Sequence, residues 1–130
     1  MMTDFRTPLS RARGNGAAGH GAAHWVAERV SAIALIPLTF WMIYAALVIS
    51  RTDYQGAVAF VTYPVNAVMI VLVLVVSGWH MHAGARVIIE DYMHKMLGRS
   101  ALLILNLFLA VLLTALAVFS VLKVALGGAL

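Results

Sequence analysis

The chain has 130 residues, no cysteine, 63% hydrophobic residues and only 11% charged ones, with a mean hydropathy of +0.96. So few charges cannot cover a soluble domain of this length, and the lack of cysteine excludes disulfides, thiolate-bound zinc, iron–sulfur ligation and c-type haem attachment within the chain. The net charge of +4 comes from basic residues beside apolar runs, which is a topology signal rather than a nucleic-acid footprint.

Residues 1–29 form a polar N-terminal segment with Arg6, Arg11, Arg13 and Arg29 against Asp4 and Glu28. The first apolar run begins near residue 30, too late and too long for the h-region of a signal peptide, so no cleavable leader is expected. The Gly/Ala-rich stretch with its arginines has some transit-peptide character, but a short polar bacterial N-terminus is the expectation. The first span, about 30–50, reads VSAIALIPLTFWMIYAALVIS and carries no charge. Pro37 inside it is expected to kink the helix, which membranes tolerate when neighbours satisfy the freed carbonyl.

A connection over residues 51–64 follows, with Arg51, Asp53 and the turn residues Gly56 and Pro64. The second span, about 65–89, is interrupted only by histidines in its first 21 residues, VNAVMIVLVLVVSGWHMHAGA. A second connection carries Arg86, Lys95 and Arg99 against Glu90 and Asp91. The third span, about 101–122, is uncharged, and residues 125–130 form a short tail. Each run meets the roughly 20 apolar residues needed to cross a hydrocarbon core, and continuous rather than alternating apolarity favours helices over barrel strands.

The expected fold is therefore an all-α integral membrane protein, one domain of three transmembrane helices over residues 30–124. Lys and Arg favour the N-terminal segment and the second connection, which share a side in a three-span chain; the positive-inside rule puts both in the cytoplasm (or mitochondrial matrix) and the tail opposite. Trp41, Tyr44, Tyr54 and Tyr63 suit the outer interfacial belt. Three helices leave much of their surface open to a partner. No internal repeat is present, which argues against alternating-access transport.

The chemistry gathers in SGWHMHAGARVIIEDYMH, residues 77–94. An ionisable side chain at membrane depth is a functional signal by default, yet a neutral histidine can also simply bond a neighbouring helix. Gly84, Val87 and Asp91 lie within about 40° of the His80 azimuth, and His82 about 160° away. His80 thus has a glycine one turn on, where a flat macrocycle would need room, and the two histidines cannot share one metal from a straight helix. A six-coordinate haem would take its second histidine from another chain.

Glu90, Asp91 and Tyr92 read either as a solvated helix end or as part of a quinone site, in which a tyrosine hydroxyl donates to a carbonyl without burying charge. Tyr92 lies about 18 Å along the axis from His80. Before the first span, Arg29 is either a positive-inside anchor paired with Glu28 or a bidentate partner for a haem propionate, with His24 assisting. Asn66 and Asn106 are expected to mediate helix contacts.

The block H-x₃-G-x₆-D-Y, here His80, Gly84, Asp91 and Tyr92, resembles the second helix of the smaller membrane-anchor subunit of succinate dehydrogenase, respiratory complex II. The upstream R-x-S-A-I-x-L, Arg29 to Leu35, looks like that family's entry into its first helix. These motifs cover about a quarter of the chain, while the three-span architecture covers nearly all of it. The resemblance implies that His80 is an axial ligand to a haem b shared with a second membrane-anchor subunit, which supplies the other histidine.

It implies further that Tyr92 hydrogen-bonds ubiquinone, with Asp91 supporting that site, and that Arg29 contacts the haem propionates. The family's histidine near the first helix aligns with His24 only after a one-residue shift, and His82 has no counterpart in it. Electrons would come from an iron–sulfur subunit and, through it, a flavoprotein subunit, with succinate oxidation on those other chains. The implied site is a bacterial inner membrane. Two alternatives stay open: an anchor of a quinol:fumarate reductase, and a cofactor-free scaffold or assembly subunit whose histidines only bond other helices.

Overall fold

The computed structural model describes residues 7–9 and 21–127. It is helical throughout its long elements, and among the described residues there is no strand. Helix α1 runs Gly21–Ile49, a short α2 Tyr54–Thr62, α3 Pro64–Tyr92 and α4 Met96–Ala125. Three of these, over Trp25–Ile49, Pro64–Tyr92 and Met96–Ala125, are long and apolar enough to cross a membrane.

The helices outrun the apolar runs at most of their ends. Thus α1 begins at Gly21, within the segment read as polar, and continues through Pro37. The short α2 was not legible as a helix in the sequence. Asp53 nucleates it: its Oδ1 accepts from the Gly56 N–H at 2.9 Å, satisfying a free donor of the first turn. Pro64 then opens α3 from its first turn, where a missing N–H costs nothing. Asn66 of α3 donates to the Phe60 carbonyl of α2 at 2.9 Å, and Phe60 stacks on Trp41 of α1 with ring centroids 6.5 Å apart.

Helix α3 is the middle of the array. It packs on α1 on one side and α4 on the other, and among the described residues no Cα of α1 comes within 8 Å of one of α4. The buried residues are small: Ser31, Ala45, Ala67, Ala83 and Ala110, with Val73. Small side chains let backbones approach closely, which is how helices associate when lipid is as apolar as the side chains. Gly78 shows this most clearly, since a Cβ there would run into the Thr114 side chain of α4. At the far end of α3, Glu90 takes Arg86 at 2.9 Å and Arg99 of α4 at 3.9 Å, tying the two helices across their short connection.

Candidate functional site

His80 sits on the α1 side of α3. Its Nδ1 stands 3.0 Å from the Oγ of Ser31, which is buried at 7% exposure and also donates to the Glu28 carbonyl at 2.9 Å. The Nε2 of His80 makes no hydrogen bond among the described residues. Ser31 lies in the R-x-S motif at the start of the first span, but the sequence alone did not reveal its contact. The available signal was that it is the first hydroxyl of the first apolar run.

His82 faces the other way, onto α4. Its Nδ1 lies 3.0 Å from Asn106 Nδ2, and the same amide nitrogen donates to the His82 carbonyl at 3.0 Å. Its ring is tilted against Trp79 at 6.1 Å. The azimuthal separation expected from the sequence is thus realised as two different neighbours, α1 for His80 and α4 for His82. Asn106 mediates a contact between spans, and Asn66 one between α3 and the short α2.

Gly84, one turn beyond His80, has nothing within 4 Å of where a Cβ would stand. Packing inside this chain does not require a glycine there, so the space is open on the outer side of α3. Arg29, two residues before Ser31, is exposed and places its guanidinium 5.4 Å over the Trp25 ring. That is cation–π distance, and it leaves the planar N–H groups available. His24 lies in the first turn of α1, and its side chain falls outside the described residues.

Tyr92 ends α3 at 78% exposure, with exposed Asp91 beside it. The structure therefore brings His80 to the same level as the start of the first span, while Tyr92 stands apart toward the helix end. Among the described residues no three His, Cys, Asp or Glu side chains gather around one point. Near His80 they supply no ready-made cage for a metal ion. An apolar groove of about 360 Å³ runs along the α3–α4 face, lined by Trp79, His82, Leu107 and Thr114 among others. It lies with His82 and not with His80.

Residues 3–122 match the family model described as the succinate dehydrogenase/fumarate reductase transmembrane subunit. The chain belongs to this family of membrane-anchor subunits. The succinate dehydrogenase hydrophobic membrane anchor subunit of Rickettsia conorii is 33% identical over 118 residues, covering 88% of this chain and 93% of that one. The protein of the same description from Paracoccus denitrificans is 33% identical over 124 residues, 95% of each chain. The succinate dehydrogenase membrane anchor subunit of Reclinomonas americana is 31% identical over 77 residues, 57% of this chain and 64% of that one. No solved structure matches. As a member of this anchor family the chain is a membrane protein whose three long apolar helices fit the part, and its candidate site lies where α1 meets α3.

Proposed function

We propose that this anchor holds succinate dehydrogenase in a bacterial inner membrane, supplies His80 as one ligand of a haem b, and forms one wall of the ubiquinone site. The observation that carries the reading is the state of His80. Its Nδ1 is engaged by Ser31 and its Nε2 has no partner among the described residues, which is the arrangement of a ligating imidazole. Gly84 adds open space one turn on, and the absence of cysteine leaves histidine as this chain's natural iron ligand. These residues fit a b-type haem.

When bound, the haem supplies a one-electron redox centre. The chain's own residues would do the rest. His80 would hold the metal from one side, the second histidine coming from a companion anchor subunit. Arg29 would give planar N–H donors to a propionate, with His24 near it in the same stretch of α1. Tyr92 would donate a hydrogen bond to a ubiquinone carbonyl, and Asp91 would steady that hydroxyl or its proton supply. An iron–sulfur subunit, itself joined to the flavoprotein subunit, would dock on the side that carries Arg86, Lys95 and Arg99. Succinate oxidation belongs to those chains. The family description also covers fumarate reductase, but the three relatives described above are succinate dehydrogenase anchors by name, which favours the succinate direction.

The test is succinate-driven ubiquinone reduction by the intact complex purified through this chain. Tyr92→Phe is expected to lower kcat/KM for ubiquinone by about tenfold or more, the worth of roughly one 1.4 kcal/mol hydrogen bond to the reacting group. Succinate reduction of a soluble dye at the flavoprotein should stay unchanged. Equal loss of both activities, or of neither, would remove Tyr92 from the quinone site.

A further inference from the structure

We propose that Ser31 is a positioning residue for His80, its hydroxyl accepting the Nδ1–H and so keeping the Nε2 lone pair free for a metal; the proposal rests on the reading of His80 as a haem ligand. A serine hydroxyl has one proton and two lone pairs. The proton lies toward the Glu28 carbonyl at 2.9 Å, a group that can only accept. The oxygen then meets His80 Nδ1 at 3.0 Å as an acceptor, so Nδ1 carries the hydrogen. A neutral imidazole protonated on Nδ1 has none on Nε2.

His82 is held in the opposite tautomer. The His82 carbonyl can only accept, so Asn106 presents its amide nitrogen to this corner. That nitrogen has a second hydrogen, and it points to His82 Nδ1 at 3.0 Å. Nδ1 of His82 is therefore an acceptor, and its proton resides on Nε2. Two histidines two residues apart are thus prepared differently by two neighbouring helices. Of these two, only His80 offers a metal an unprotonated Nε2, and Ser31 is the residue that makes it so.

The chemistry fixes the direction of the effect. An acceptor on Nδ1–H makes the imidazole more basic and so favours ferric over ferrous iron. Removing it should raise the haem midpoint potential. Outer partners of this kind are typically worth 10- to 100-fold in metal affinity. A tenfold loss confined to the ferric state reads as a rise of about 59 mV for one electron.

The experiment is an optical redox titration of the haem in the intact membrane complex, comparing the parent chain with Ser31→Ala and Ser31→Thr. A raised potential in Ser31→Ala, with lower haem occupancy, and a return toward the parent value in Ser31→Thr are expected. Should the alanine complex fail to assemble, Ser31→Cys keeps the size with a weak acceptor and should shift the potential in the same direction. An unchanged potential in the alanine or cysteine variant, or equal shifts in alanine and threonine, would overturn the role of Ser31. The two claims fail separately. A b-type signal that is absent from the parent complex or unchanged in His80→Ala overturns the ligand assignment. A signal lost in His80→Ala but with a potential indifferent to Ser31 overturns only the positioning role.

Discussion

Asn106 illustrates a polar side chain in a span that holds rather than reacts. Its amide spends both hydrogens on His82, one on the ring and one on the carbonyl, and so joins α3 to α4 inside an apolar surface. Hydrogen bonds of this type are worth about 0.6 to 2 kcal/mol in membranes. Asn106→Leu should therefore lower the stability of the detergent-solubilised complex by about that much in a denaturant titration, while leaving any haem spectrum in place. A change in the spectrum with no loss of stability would show that His82 is more than a clasp. That the two histidines face different ways was legible from helical geometry alone. Which partner each one meets was not, because that depends on the register between helices, and a single span carries no record of its neighbour's height.

At the scale of the helix, α3 does the organising. It is the one long element with a packed helix on each side, and its glycines mark two kinds of approach. Gly78 lies where the Thr114 side chain of α4 occupies the space of a Cβ. Gly78→Ala should push the helices apart or force Thr114 off its rotamer, at about 1–3 kcal/mol as for other overpacked contacts, measurable as a lower thermal midpoint of the complex. Gly84 has no such neighbour, so Gly84→Val should leave that midpoint nearly unchanged in haem-free preparations and lower haem occupancy instead. Equal thermal losses at both sites with unaltered haem would contradict the distinction. The spans themselves were readable from apolar run length. The helix at Tyr54–Thr62 was not, since Gly56 and Pro64 read as turn residues; Asp53 capping the first turn and Pro64 opening the next helix reverse that meaning.

For the whole molecule, three long helices form an open array. Large apolar side chains such as Phe40, Phe108 and Leu113 are exposed at 71%, 67% and 54%, and the buried positions are mostly alanine-sized. Lipid covers such a surface readily, and under the proposed function a companion anchor subunit would cover part of it and supply the second haem ligand. In the proposed site His80 is the ligand and His82 is structural. The most direct measurement is the reduced-minus-oxidised optical spectrum of the detergent-extracted complex with succinate as reductant, recorded for the parent chain, His80→Ala and His82→Ala. A b-type signal in the parent, lost or shifted in His80→Ala and retained in His82→Ala, is the expected result. A signal lost in His82→Ala and kept in His80→Ala, or no b-type signal in an intact parent complex, would contradict it.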